Sequence, residues 1–260
     1  MELRRQHQQG YEYVDEGQGP VLLLLHGLFG ALSNWEDVVQ EFAPDHRVII
    51  PLLPIYEMPL SQAGVPGLVA YVEGFVATLG LPADFTVLGN SLGGHVALVY
   101  TLKNAERVNR LVLTGSSGLF ENSMGASFPK RGNYAYVEER VGFTFYDPKV
   151  ATRELVDEVF NVTNSNSKCL RIIAIARSAQ RHNLSKELTK ITVPVLLVWG
   201  LNDTITPPPV AHEFARLLPH AELRFLDHCC HAPMMERPAG FNAYLRRFLR
   251  TTETAPAAAA

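Results

Sequence analysis

Thr86-Val-Leu-Gly-Asn-Ser91-Leu-Gly-Gly-His95 is the stretch of sequence that decides the fold. A short apolar segment leads into the pattern Gly-x-Ser-x-Gly, and helical periodicity follows at once through residue 104. A serine on so sharp a turn between a strand and a helix needs small neighbours, because large side chains two positions away would collide with adjacent elements. The stretch therefore predicts that the Ser91 hydroxyl stands clear of a sheet, at the positive end of a helix.

Apolar runs of strand length recur along the chain and alternate with segments of helical periodicity. Runs without polar alternation are typical of parallel strands that are covered on both faces. The strand candidates are residues 21–25, 47–53, 85–88, 110–113, 195–199 and 223–226. The helix candidates are residues 34–42, 67–79, 92–104, 209–218 and 240–249. With an antiparallel hairpin around residues 12–14 at one edge, this order predicts an α/β fold with a doubly wound, mostly parallel, eight-stranded sheet.

The segment from residue 118 to residue 190 interrupts this alternation. It contains no clear parallel strand and mixes aromatic residues and arginines with polar stretches such as NVTNSNSK. Because so long an interruption is rarely a single loop, we expect a helical cap inserted after the sixth strand, where ligands of parallel sheets bind. The predicted division is an α/β core of residues 1–117 and 191–250, a cap or lid of residues 118–190, and a flexible tail of residues 251–260.

Composition excludes several classes of function. Of the 260 residues, 47% are hydrophobic and 19% are charged, and a net charge of -3 gives no electrostatic case for binding nucleic acid. No apolar run is long enough to span a bilayer, and the N-terminus does not resemble a signal peptide. The three cysteines, two of them adjacent, do not form the pattern of a secreted disulfide framework. We expect a soluble cytoplasmic protein, monomer or homodimer, with a small-molecule substrate and no membrane partner.

Two further motifs supply the partners that a nucleophilic serine needs. Such a serine requires a base, and the base requires a group that orients it. Asp203 follows the apolar run at 195–199, and His231 follows the run at 223–226. Serine, acid and histidine thus occur in the chain order that accompanies a nucleophile on such a turn. We predict that Ser91 is the nucleophile, His231 the general base and Asp203 the acid that orients it.

The stretch His26-Gly-Leu-Phe-Gly30 directly follows the first long apolar run. A serine nucleophile needs two backbone N–H groups that hold the oxyanion of the tetrahedral intermediate. We predict that these donors belong to Leu28 and Leu92, with Phe29 as the second choice for the first of them.

Alternatives to these assignments remain open in the sequence. His228 competes with His231 as the base, and Asp227 is the fallback for Asp203. His95 lies one helical turn beyond the serine, but the turn directs the serine off that helical face, so we expect His95 to pack. The run HCCH that ends in His231 lacks the cysteine spacing of zinc sites, so we expect no metal and no cofactor.

Four motifs together resemble the α/β-hydrolase superfamily. HGLFG (26–30), GNSLGG (89–94), WGLND (199–203) and HAPMMERP (231–238) fall in the family's order and spacing over nearly the whole chain. The last two are similar to the capped esterase and lipase-like branch, whereas GNSLGGHVALVYTLKNAERV (89–108) is also similar to hydrolases that cleave carbon–carbon bonds of ring-fission products. Ala232 stands where the carbon–carbon hydrolases tend to carry tryptophan, which favours the esterase branch.

The resemblance implies a serine hydrolase that works through an acyl-enzyme and whose activity rises with pH as its histidine loses a proton, around pH 6 to 7. We expect carboxylic esters with small or medium apolar acyl groups as substrates, contacted by Phe29, Phe120 and Phe143. Arg177 and Arg181, one helical turn apart, are candidates for binding a substrate carboxylate. Two alternatives stay open: carbon–carbon hydrolysis of a vinylogous diketone (a carbonyl substrate) by the same triad, and a receptor-like protein that binds its ligand with slow turnover.

Overall fold

The computed structural model of the chain describes residues 3–30, 32–121 and 132–251. Residues 122–131 of the predicted cap and residues 252–260 of the predicted tail therefore lie outside the described part. Within the described residues, no helix is both long enough and apolar enough to cross a bilayer.

Eight strands form one sheet in the described part of the chain. They are β1 (Arg5–Gln8), β2 (Tyr11–Glu16), β3 (Val21–Leu25), β4 (Arg47–Pro51), β5 (Phe85–Asn90), β6 (Val108–Thr114), β7 (Val195–Gly200) and β8 (Ala221–Leu226). Their spatial order is β1-β2-β4-β3-β5-β6-β7-β8. The β1–β2 and β2–β4 pairs are antiparallel, and all other neighbours in this order are parallel. The predicted fold class is thus confirmed, including the antiparallel hairpin at one edge.

The continuous apolar runs follow from the two-sided burial of the central strands. Every residue of β3, β5 and β7 is buried, whereas the edge strand β1 is polar and largely exposed. Alternate residues of β3 enter opposite cores: Leu23 packs on one face of the sheet and Leu24 on the other. The run predicted at 47–53 ends as a strand at Pro51, since the N–H of Leu53 donates to His26 Nε2 at 3.0 Å rather than to a neighbouring strand.

Helices cover both faces of the sheet. The helices of the α/β core are α1 (Glu36–Phe42), α2 (Val65–Thr78), α3 (Leu92–Lys103), α7 (Pro208–Leu217), α8 (Pro233–Glu236) and α9 (Pro238–Thr251). Residues of α2, α3 and α7 belong to the hydrophobic core on one face, and residues of α1, α8 and α9 belong to the hydrophobic core on the other. This is the two-sided arrangement that the alternating sequence pattern predicts.

The segment between residues 118 and 190, called the inserted segment here, is helical in its described part. Its helices are α4 (Tyr134–Gly142), α5 (Arg153–Asn164) and α6 (Asn166–Arg181). Each begins after a side chain that accepts a hydrogen bond from a backbone N–H of the first turn, which stabilises a helix start; these capping residues are Asn133, Thr152 and Ser165. The segment leaves and re-enters the core at one place, because the N–H of Leu184 donates to the carbonyl of Gly118 at 2.8 Å.

The first turn of α3 lies directly against the end of β3. A β-carbon on Gly93 would lie 2.1 Å from the carbonyl oxygen of Leu25 and 2.6 Å from that of His26. Backbone atoms at the end of a central strand cannot move aside cheaply, so only glycine allows this approach.

We expect Gly93→Ala to lower the free energy of unfolding by about 3 kcal/mol, because the added methyl group overpacks the backbone of β3. Gly142→Ala is the matched control: its β-carbon would meet only the Cβ of Pro148, at 3.6 Å. Alanine also favours a helix, so the control should be as stable as the parent or up to about 1 kcal/mol more stable. Urea unfolding, monitored by tryptophan fluorescence, measures the stability of both variants. Equal unfolding midpoints for Gly93→Ala and Gly142→Ala would refute the close approach at Gly93.

Candidate active site

Ser91 occupies the turn between β5 and α3 with φ 54° and ψ -120°. A non-glycine residue in such a conformation costs about 1–3 kcal/mol, so the surrounding contacts must maintain it. Its N–H donates to the carbonyl of Thr114 at 3.1 Å, and its carbonyl accepts from the N–H groups of His95 at 3.2 Å and Ser117 at 3.1 Å. The peptide groups on both sides of Ser91 are therefore fixed, which holds its hydroxyl at the N-terminus of α3.

His231 and Asp203 form a buried pair. Nδ1 of His231 lies 2.9 Å from Oδ2 of Asp203, and the two side chains are 7% and 0% exposed. The carboxylate also accepts from the N–H of Ile205 at 2.8 Å, and from the N–H and hydroxyl of Thr206 at 3.0 and 2.9 Å. With Nδ1–H donating to Asp203, Nε2 of His231 is left as the proton acceptor.

The charges around His231 raise its pKa above the ordinary value of 6.5. Burial is the largest influence and by itself disfavours the charged imidazolium. The negative charge and hydrogen bond of Asp203 act in the opposite direction, followed by the charges of Glu121 and Glu236. Together these carboxylates outweigh the burial, so the pKa of His231 is raised.

The loop that carries His231 is tied to the inserted segment. The N–H of His231 donates to the carbonyl of Thr144 at 3.0 Å. Glu236 accepts from the N–H of Tyr146 at 2.6 Å and from the N–H of Cys230 at 2.8 Å. No role is predicted for Glu236 from the sequence, although it lies within the HAPMMERP motif.

Ser91 and His231 line one cavity of about 510 Å³. No hydrogen bond joins their side chains in the described part of the chain, and such contacts are often long in unliganded sites. Leu28 and Leu92, the candidate oxyanion donors, line the same cavity. The loop at 26–30 lies beside the serine, since a β-carbon on Gly27 would be 3.2 Å from the Cβ of Ser91.

His26, at the start of that loop, is held in its neutral form. Its Nε2 accepts from the N–H of Leu53 at 3.0 Å, and Nδ1 lies 2.9 Å from the carbonyl oxygen of Gly27. Complete burial lowers its pKa to about 4. His26 therefore connects the loop to the chain beyond β4 without adding a charge near Ser91.

The competing histidines lie elsewhere. His95 is fully buried, and its Nε2 lies 3.1 Å from Nδ1 of His182, with the two rings stacked. The His228 side chain is 58% exposed and faces Asp227, with its Nδ1 3.2 Å from the carboxylate. Neither histidine lines the cavity of Ser91, and the carboxylate of Asp227 faces His228 rather than His231.

The proposed substrate contacts divide into two groups. Phe29 and Arg177 line the cavity of Ser91, whereas Phe120, Phe143 and Arg181 do not. Phe120 is 60% exposed and Phe143 is 52% exposed. Arg181 is the last residue of α6, one turn beyond Arg177, and although its neighbours Ala179 and Gln180 line the cavity, Arg181 does not. The role of these three residues therefore stays a prediction, one that the lining of this cavity does not support.

Most of the cavity wall is apolar and comes from the inserted segment. Each of its three described helices contributes apolar residues, among them Val137, Val141, Leu155, Val159, Ile172, Ile173, Ala176 and Ala179. Two charged residues that sequence reasoning did not single out, Glu121 and Arg140, line it as well. Nothing in a single sequence marks them, because both fall in the segment whose packing the sequence pattern leaves undefined.

A metal has no ready place among the described residues. No group of three His, Cys, Asp or Glu side chains there is arranged to hold an ion. The adjacent Cys229 and Cys230 are free and buried. Burial raises the pKa of both thiols, which keeps them protonated.

Known proteins share this architecture. A crystal structure of an α/β-hydrolase enzyme from the metagenome of sediments from the lagoon of Mar Chica, Morocco, is 37% identical, with a TM-score of 0.80 over 96% of this chain and 99% of that one. A pimeloyl-[acyl-carrier protein] methyl ester esterase of Nitrosomonas europaea is 28% identical over 86% of this chain and 94% of its own. A 2-hydroxy-6-oxo-6-(2'-aminophenyl)hexa-2,4-dienoic acid hydrolase of Metapseudomonas resinovorans is 25% identical, over 95% and 90%.

The family comparison covers most of the chain. The model of the alpha/beta hydrolase family matches residues 22–244, a range that contains Ser91, Asp203 and His231 as well as the inserted segment. With the eight-stranded sheet and its flanking helices, this match establishes that the chain belongs to the α/β-hydrolase family.

Proposed function

We propose that this protein is a serine hydrolase that cleaves small-molecule carboxylic esters, with Ser91, His231 and Asp203 as its catalytic triad. The observation that carries the proposal is the buried His231–Asp203 pair, whose histidine lines one cavity together with Ser91. The esterase among the relatives supports the reaction class.

The mechanism proceeds through an acyl-enzyme. Nε2 of His231 accepts the Ser91 proton as the serine oxygen attacks the ester carbonyl, and the N–H groups of Leu28 and Leu92 stabilise the oxyanion. His231 then returns the proton to the departing alcohol. In the second half, His231 accepts a proton from water, the water oxygen attacks the acyl carbonyl, and Ser91 regains its proton as the acid leaves.

The inserted segment acts as a cap in this proposal. Its helices supply most of the apolar wall, and the remaining wall comes from the loops around Ser91 and His231. A cavity of about 510 Å³ lies within the range of small-molecule sites. These features favour esters with small or medium apolar acyl groups.

Carbon–carbon hydrolysis is the second candidate. Arg140 and Arg177 line the cavity, and one relative hydrolyses a dienoic acid, whose carboxylate such arginines would bind. The same Ser91 and His231 would then act on a ketone carbonyl.

Burst kinetics with p-nitrophenyl acetate and butyrate test the reaction class. The wild type should show a burst and an acyl adduct by intact mass, because acylation precedes water attack. Ser91→Ala should lack the adduct and lose at least about 10³-fold in kcat. Ser61→Ala, an exposed serine outside the cavity, is the matched control and should keep both. Ligand binding without adduct or turnover would instead indicate a receptor-like protein. Turnover that is restricted to ring-fission diketones would indicate carbon–carbon hydrolysis.

The pH profile of kcat/KM tests His231 as the base. Activity requires the neutral imidazole, and the raised pKa of His231 keeps it protonated to a higher pH. Activity should therefore rise with pH through a midpoint above 6.5, higher than the sequence alone leads one to expect. Asp203→Asn removes a charge that raises this pKa, so its midpoint should fall along with its rate. A profile that stays flat between about pH 5 and 8 would exclude a histidine base.

A matched arginine pair tests whether the cavity accepts acidic esters. Arg177 lines the cavity and Arg181 does not, although both lie on α6. Arg177→Ala should raise KM about tenfold for mono-p-nitrophenyl succinate and leave KM for p-nitrophenyl butyrate unchanged, since a charge-assisted hydrogen bond is lost. Arg181→Ala should change neither. Equal changes for both esters, or for both variants, would argue against a carboxylate contact at Arg177.

A further inference from the structure

Glu121 brings an ionisable carboxyl group into the cavity of Ser91. It lies at the start of the inserted segment, is partly buried, and lines the cavity together with Ser91 and His231. Among the described residues, neither a hydrogen bond nor an ion pair reaches its carboxyl oxygens; the one charged group that acts on it is His231. By contrast, the carboxylate of Asp203 is fully engaged by His231, Ile205 and Thr206.

The charges around Glu121 and His231 form an asymmetric set. Three negative charges act on His231: that of Asp203 in the loop after β7, that of Glu121 at the start of the inserted segment, and that of Glu236 in α8. The positive charges of the cavity come from α4 and α6, which contribute Arg140 and Arg177. Among the described residues that line the cavity, the carboxylate is therefore that of Glu121, whereas the cations lie on the inserted helices.

We propose that Glu121 is a specificity-determining residue of the esterase: it disfavours substrates with a negative charge beside the scissile carbonyl and favours neutral or cationic ones. The proposal rests on the esterase function proposed above. An acidic ester then binds with its charge directed toward α4 and α6 and its carbonyl toward Ser91. The charge of Glu121 also stabilises the imidazolium of His231, so the same residue shifts the pH dependence of the reaction.

Burial and charge give the proposal its two measurable consequences. Burial raises the pKa of Glu121, and the charge of His231 acts against this increase. When Glu121 is ionised, its field acts on any charged substrate group in the same low-dielectric cavity. Removing that charge alters both the preference between acidic and neutral substrates and the proton affinity of His231. Removing a residue with only a structural role would affect acidic and neutral substrates equally.

The test compares Glu121→Gln with Glu138→Gln, an exposed glutamate of α4 that does not line the cavity. The measured quantity is the ratio of kcat/KM for mono-p-nitrophenyl succinate to kcat/KM for p-nitrophenyl butyrate. Glu121→Gln should raise this ratio about tenfold, because a repulsive charge is removed. It should also lower the pH midpoint for the neutral ester, so that the variant is more active than the wild type below the wild-type midpoint. Glu138→Gln should change neither quantity.

Two outcomes would overturn the proposal: an unchanged substrate ratio in Glu121→Gln, or a change of equal size in Glu138→Gln. Glu121→Ala provides the same comparison if the amide impairs folding, which urea unfolding of each variant checks. Failure of the esterase proposal is distinguishable, because the wild type would then form no acyl adduct with either ester. Ester turnover with unaltered charge selection in the Glu121 variants overturns the role of Glu121 alone.

Discussion

The backbone conformation of Ser91 is the constraint on which the rest of the site depends. A positive φ at a non-glycine residue persists only where neighbouring groups stabilise it, and here those groups belong to three parts of the fold. Thr114 ends β6, Ser117 begins the chain beyond it, and the N–H of His95 closes the first turn of α3. Misplacement of any of these would release the turn, so the register of β5 against β6 and the position of the serine are determined together.

The same turn also fixes the loop that carries the candidate base. The side-chain amide of Asn90, directly before the serine, donates to the carbonyls of Thr114 and His231, each at 3.1 Å. From the other side, Thr144 and Glu236 hold this loop against the inserted segment. The position of the histidine relative to the serine thus depends on contacts of the His231 backbone and its loop, in addition to the side-chain pair with Asp203.

Much of the fold and part of the site could be predicted from the sequence for physical reasons. Strands buried on both faces must be apolar throughout, so β3 and β7 can be predicted from their continuous apolar runs. The Gly-x-Ser-x-Gly turn has few alternative conformations. The positions of Asp203 and His231 follow from the ends of strands. The inserted segment is different, because its side-chain directions depend on how its helices pack. Sequence spacing cannot tell that Arg177 lines the cavity and Arg181 does not, or that Glu121 lines the same cavity as His231.

The hydrogen bond between Leu184 and Gly118 gives the inserted segment a narrow neck. Because the two ends of the inserted segment meet at this hydrogen bond, the core tolerates inserted segments of different length and shape. Evolution can exchange such a module, or vary its length, while the pairing of β6 with β7 is inherited unchanged. The same catalytic residues can in this way serve different substrates when the inserted segment that lines the cavity is replaced and the sheet is retained.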